Sequence, residues 1–212
     1  MATPLSPDRI VDAALAMADR DGLEGVSMRR LGVELGVDPM AVYHHVRDKQ
    51  ALLALMVDRV VTGIEPARDA PWQEALRTTL LRARARMLQH PWAASVLSAG
   101  IEPTPAIMRH IDAVLGILRD GGLDIGLAHH ALHVLGSRIL GFGQDLFDDA
   151  AQDRPAEAAR LAQARAWQPT LPNIAELALA ADHEGGLGGC DDDAEFAFAI
   201  DLIIDGLAAR RR

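Results

Sequence analysis

Apolar residues recur three and four positions apart along most of this chain, and no stretch alternates with period two. That pattern predicts helices throughout and no strand. The first helix opens at Ser6-Pro7-Asp8, a capping side chain followed by proline and an early acid. Ile10, Val11, Ala14, Leu15 and Ala18 form its apolar stripe, and Asp21-Gly22 ends it. From Ser27 to Lys49 the chain reads as two short helices, a tight turn and the start of a further helix. Leu31, Leu35, Val37, Val42 and Val46 are its inward positions, with Leu35-Gly36-Val37 at the corner. Gly36 has no Cβ and can take the positive φ that ends a helix. Asp38 can then cap the next helix, with Pro39 at its first position, where a missing N–H costs nothing. This is the sequence form of a helix-turn-helix.

A fourth helix begins at Asp48-Lys49-Gln50 and runs to Gly63 or Ile64, ahead of a linker over Glu65–Pro71. Trp72–Gln89 reads as a long amphipathic helix whose apolar side holds Ala75, Leu76, Leu80, Ala83, Met87 and Leu88. Its exposed side is expected to carry Arg77, Arg82, Arg84 and Arg86. A solvated face explains these arginines more simply than a second nucleic-acid patch does. A short element follows over Trp92–Ala99, then a helix over Ala106–Arg119, stopped by Gly121-Gly122. A helix of about 25 residues is expected from Ile125 to about Asp148. Further helices are expected over Ala156–Trp167 and Leu171–Ala181. A glycine-rich acidic loop spans Gly185–Asp193. The last helix, Ala194–Ala209, is apolar on two faces, which marks it as an oligomer interface.

The outward face of the short Pro39 helix carries the chemistry. With Val42 and Val46 inward, Pro39, Met40, Tyr43 and His44 face out. Such a face suits a major groove, where Tyr and His reach phosphates and base edges and Met and Pro meet thymine methyls. Ser27, Arg29, His45 and Lys49 flank it. A plain three-helix packing unit would instead show mixed acids and bases on its surface, and no acid lies between Pro39 and Arg47.

Composition narrows the picture. The 212 residues are 50% apolar but only 4% aromatic, which favours aliphatic helices over sheets. The net charge of −9 argues against non-specific coating of nucleic acid. Over residues 27–49, four basic residues against three acidic ones leave a small local excess of positive charge. Lys49 is the only lysine, and Cys190 the only cysteine. A lone cysteine forms no disulfide within one chain and fits a reducing cytosol. No signal core or membrane span is apparent, so a cytoplasmic protein is expected.

These residues also resemble a known family. The tract GVSMRRLGVELGVDPMAVYHHVRDKQALL is similar to the N-terminal DNA-binding domain of the TetR family of transcriptional regulators, nearly continuously from Ile10 to Leu55. The resemblance implies DNA contacts by Ser27, Arg29, Pro39, Met40, Tyr43, His44, His45 and Lys49. Trp72-Gln73, Pro103-Thr104, Leu115–Gly122 and AFAIDLIIDGL near the end resemble, more loosely, the C-terminal domain of the tetracycline-repressor branch. The expected fold is all-α, with an N-terminal three-helix helix-turn-helix DNA-binding domain and a C-terminal helical ligand-binding and dimerisation domain. The boundary is expected at 64/65, giving domains 1–64 and 65–212. The resemblance implies a homodimer through helices at about 125–148 and 194–209, bound to double-stranded operator DNA and released by a small-molecule effector.

For that effector, Met87, Trp92, Leu97, Met108, His110, Val114, His133 and Phe142 are candidate pocket residues, though side chains of these types at helical spacing also simply fill cores. The branch's metal-chelating histidine aligns with Leu97 and a neighbouring arginine with Glu102, which argues for an apolar or weakly polar ligand over magnesium–tetracycline. No cofactor and no metal are expected. His129 and His133 have zinc-compatible spacing but lack further ligands at matching positions. Gly141-Phe142-Gly143 follows no strand, which fails the context of a dinucleotide motif. An enzyme remains the alternative class, without a spacing that singles out catalytic groups.

Overall fold

The computed structural model describes residues 4–141, 157–180 and 192–211. Phe142, the Gly141-Phe142-Gly143 motif beyond its first residue, the continuation of the 125–148 helix, the glycine-rich loop up to Asp191 and Cys190 lie outside the described residues, while Asp192 and Asp193, expected in that loop, are helical. Among those described are eleven α-helices and no strand. They form two compact units. One gathers the described residues up to Gly141 with those from Ile203 onward, and the other gathers those between.

The first unit begins with α1 (Pro7–Gly25), α2 (Met28–Leu35), α3 (Pro39–Tyr43) and α4 (Lys49–Thr62). Each start is capped by a side chain, as expected at Ser6 and Asp38. The side chains of Ser6, Ser27, Asp38 and Asp48 accept from backbone amides in the first turns of α1, α2, α3 and α4. These bonds satisfy amides that have no partner inside the helix. Non-helical backbone at Gly22 interrupts α1 where Asp21-Gly22 was expected to end it. The unit continues with α5 (Trp72–Gln89), α6 (Trp92–Ser98), α7 (Pro105–Asp120) and α8 (Ile125–Gly141).

One buried apolar cluster joins these helices. It contains Ile10, Met17, Leu31, Val42, Leu52, Met56 and Val60, and reaches Met87, Trp92, Val96 and Ala106. Polar contacts tie the same helices together. Arg59 of α4 pairs with Asp8 and Asp12 of α1. Asp58 of α4 accepts the Ala106 amide at 2.9 Å and so caps α7. Asp19 of α1 accepts from His90 Nδ1 at 2.9 Å and from Trp92 Nε1 at 2.7 Å.

Helix α5 corrects one expectation. Arg84 is buried, with 8% of its surface exposed, whereas Leu88 is 56% exposed. At 100° per residue Arg84 lies beside the row of Leu76, Leu80 and Ala83, while Leu88 has rotated past the edge of the stripe. Arg77 and Arg86 are half-buried, so the arginines do not form one solvated face.

In the second unit, α9 (Glu157–Trp167) and α10 (Pro172–Leu179) pack on one another, and Ala164 and Ala175 are their buried residues. Helix α11 (Asp192–Arg210), whose residues from Ile203 onward belong to the first unit, has the two apolar faces read from its sequence. Phe196, Ile200, Ile204 and Leu207 are buried, whereas Phe198 and Leu202 are 60% and 57% exposed. Among the described residues no helix is long and apolar enough to cross a membrane.

Candidate nucleic-acid interface

The turn between α2 and α3 is built from two glycines with different tasks. Gly36 has φ 67°, and its amide closes the last turn of α2. Gly32 lies inside α2, where a Cβ would meet the Val37 carbonyl oxygen at 3.0 Å and the Pro39 Cα at 3.1 Å. The Val37 amide donates to the Gly32 carbonyl at 2.9 Å. Helix α3 therefore starts hard against the backbone of α2. Gly36 announces itself in the sequence as a helix end; Gly32 gives no such signal, because only the tertiary approach of Pro39 explains it.

On α3, the Asp38 carboxylate accepts from the Met40 amide at 2.7 Å. Val42 is completely buried and pins the helix to the core. Met40 is 62% and Tyr43 45% exposed, His44 and His45 are exposed, and Pro39 is half-buried. This face of large exposed side chains without an acid is the one the spacing predicted.

The cations around it differ in employment. Arg30 is held by Asp21 at 2.6 Å, and Arg47 by Asp48 at 2.8 Å. Arg29 is exposed and has no ion-pair partner among the described residues. Lys49 is exposed, and its Nζ donates to the Leu23 carbonyl at 3.3 Å, which places the ammonium without neutralising it. Asp21 lies below the usual carboxylate range, chiefly through its hydrogen bond from Arg20, with Arg30 adding to it. Asp48 is also lowered, first by the Ala51 amide it caps and then by Arg47. Ser27 is half-buried and accepts from the Arg30 amide at 3.2 Å.

The expected pocket residues are not gathered in one place. Met87 and Trp92 are buried in the shared core, with Leu97 packed against it. Val114 is buried on α7, whereas Met108 and His133 are exposed. His110 is half-buried, its Nδ1 is enclosed without a hydrogen-bond partner, and burial lowers its pKa. It lines a cavity of 210 Å³ beside the end of α4. His133 meets His129 edge-on at a ring separation of 4.7 Å. Among the described residues no three His, Cys, Asp or Glu side chains converge as metal ligands would. Sequence reasoning missed Asp19, Asp58 and Arg59, whose partners lie 47 to 73 residues away in the chain.

Caps, turn and acid-free face together define a helix-turn-helix protein with a helical domain behind it. Comparisons with known proteins agree along the chain. Residues 10–56 match the family "Bacterial regulatory proteins, tetR family", and residues 65–211 match "Tetracyclin repressor-like, C-terminal domain". The HTH-type transcriptional repressor DrrR1 of Streptomyces coeruleorubidus is 32% identical over 98% of this chain and 80% of its own length. The class C tetracycline repressor of Escherichia coli is 29% identical over 98% of this chain and 92% of its own. Among solved structures, ActR of Streptomyces coelicolor in complex with actinorhodin superposes with a TM-score of 0.76 at 27% identity, covering 99% of each chain. The chain belongs to the TetR family of bacterial transcriptional regulators.

Proposed function

We propose that this protein is a cytoplasmic operator-binding repressor that works as a homodimer and leaves DNA when a small molecule binds its C-terminal region. The observation that carries the reading is α3, a capped helix with an exposed acid-free face, together with Arg29, an exposed guanidinium without an ion-pair partner among the described residues. Arg29 reads a guanine through its two-pronged donor geometry, and Met40 and Tyr43 meet base edges and methyls. Pro39 joins the methyl contacts, and Ser27, His44, His45 and Lys49 hold the backbone and set the register. Residues 1–64 carry the DNA contacts, and residues 65–212 carry effector binding and dimerisation. The relatives named above as repressors, and the ActR complex with actinorhodin, support both halves of the reading.

In this reading α8 and α11 each pair with their two-fold mates, and on α11 the exposed apolar residues Phe198 and Leu202, one helical turn apart, are the contact. A two-fold dimer presents two α3 helices to half-sites about 34 Å apart. The function requires no catalytic group and no cofactor. The test is fluorescence anisotropy with DNA flanking the protein's own coding region, beside a scrambled duplex, at two salt concentrations. Selective binding that weakens with salt is expected. Equal, weak binding to both duplexes, repeated across a genomic fragment library, would sink the reading.

A further inference from the structure

The corner where α1 meets α2 gathers cations from α1, α2 and α4. Arg20 stands near the end of α1, and Arg29 and Arg30 stand in the first turn of α2. Lys49 of α4 reaches the same corner, where its Nζ donates to the Leu23 carbonyl at 3.3 Å.

One carboxylate holds two of these cations. Asp21 accepts from Arg30 Nη2 at 2.6 Å and from Arg20 Nε at 3.0 Å. Arg20 has a second acid nearby, Glu34 at 3.7 Å, whereas Arg30 pairs with Asp21 alone among the described residues. Gly25 makes room for that pair. A Cβ at Gly25 would run into the Asp21 Cβ and come within 3.2 Å of Arg30 Nη1. Asp21 therefore sits at the edge of the operator contacts, with Arg30 beside Arg29 in the chain and Leu23, just beyond Asp21, holding Lys49.

An arginine on duplex DNA adds a phosphate contact and releases counterions whatever the sequence. We propose that Asp21 restrains sequence-independent DNA binding by holding Arg30 in an intramolecular ion pair, away from the phosphate backbone. Asp21 is a positioning residue that acts through Arg30. An exposed pair is weak, so a phosphate can compete for Arg30. The Asp21 charge then stays within a Debye length of that phosphate, ~8–10 Å at physiological salt, and its repulsion offsets the new contact. The inference rests on the operator-binding reading and deepens it, from how bases are read to how other DNA is let go.

Fluorescence anisotropy of the full chain with a labelled scrambled duplex, across a salt series, tests this. Asp21→Ala should bind that duplex about three- to tenfold more tightly at low salt, and the slope of log affinity against log salt should steepen by about one. Arg30→Ala alone should change this binding by less than about twofold, because no phosphate contact is lost. Adding Arg30→Ala to Asp21→Ala should remove the gain. Asp21 is exposed, so the variants should keep the wild-type helical content, which circular dichroism checks. An Asp21→Ala titration that overlays wild type, a gain without a steeper slope, or a gain that survives Arg30→Ala would each overturn the proposal. A gain that Arg30→Ala removes supports it even if the wild-type chain shows no preference for the DNA flanking its coding region; that absence would count against the operator reading alone.

Discussion

Arg29 and Arg30 are sequence neighbours with opposite tasks. Arg30 is committed to Asp21 at 2.6 Å, whereas Arg29 is exposed and has no ion-pair partner among the described residues. Arg29→Ala should therefore weaken operator binding by about 1–3 kcal/mol and relax preference at one base pair, the signature of a lost base contact. Anisotropy against operator variants checks this, and Arg30→Ala should leave base preference unchanged. Lys49→Ala should act differently, lowering affinity evenly across sequences and reducing the salt slope by about one. His110 makes a residue-level prediction about pH. Burial lowers its pKa, so the unfolded chain binds a proton more readily than the folded one. Its contribution to stability is intact above the unfolded value of about 6.5 and is lost as pH falls through the folded value. His110→Gln should flatten the dependence of melting temperature on pH in that acidic window; an unchanged profile would contradict it. The caps and the outward face of α3 were legible at this scale, because capping and outward spacing are local properties. The division of labour between Arg29 and Arg30 was not, since Asp21 reaches Arg30 only after α1 and α2 fold together.

At the scale of elements, α3 has only five residues and depends on its supports. Asp38→Ala removes its cap and should cost about 1 kcal/mol of stability, measurable by urea unfolding. Gly32→Ala should be worse for function than for folding. The new methyl must push the Val37 carbonyl and Pro39 away, which displaces α3 from its place on α2. Operator affinity should fall while the helical content read by circular dichroism persists. Asp19 is the corresponding support between α1 and the α5–α6 corner. Its carboxylate serves His90 and Trp92 together, so Asp19→Ala strands two enclosed donors. A loss of about 1–3 kcal/mol is expected. Helix existence and most boundaries were readable from periodicity and caps, as Trp72–Gln89 illustrates. The burial of Arg84 was not, because a charged residue beside the stripe looks solvated until its neighbours are known.

At the scale of the molecule, one core unites the helix-turn-helix with α5, α6 and the start of α7. A shift of α4 is therefore felt at α7 through Asp58 and at α1 through Arg59. Ligand and operator should then oppose each other reciprocally, by ~1–3 kcal/mol. Dimerisation is tested on α11. Leu202→Glu places a charge on an exposed apolar row without touching the buried face of Ile200 and Ile204. Sedimentation should show monomers, and operator affinity should drop because two half-sites no longer bind as a unit. A dimer of unchanged stability would remove α11 from the interface.

The sequence by itself determined what depends on near neighbours. Helical periodicity, the Ser6, Ser27, Asp38 and Asp48 caps, the Gly36 turn, the outward row of α3 and the two apolar faces of α11 all arise within a few residues, so one chain's order of residues specifies them. Tertiary structure alone decided what depends on distant segments meeting. It selected which arginines are paired, made Gly32 a contact point, and drew Asp19 to His90 and Trp92. Those pairings join positions tens of residues apart, and their physical cause is the burial of the apolar stripes that brings the helices together.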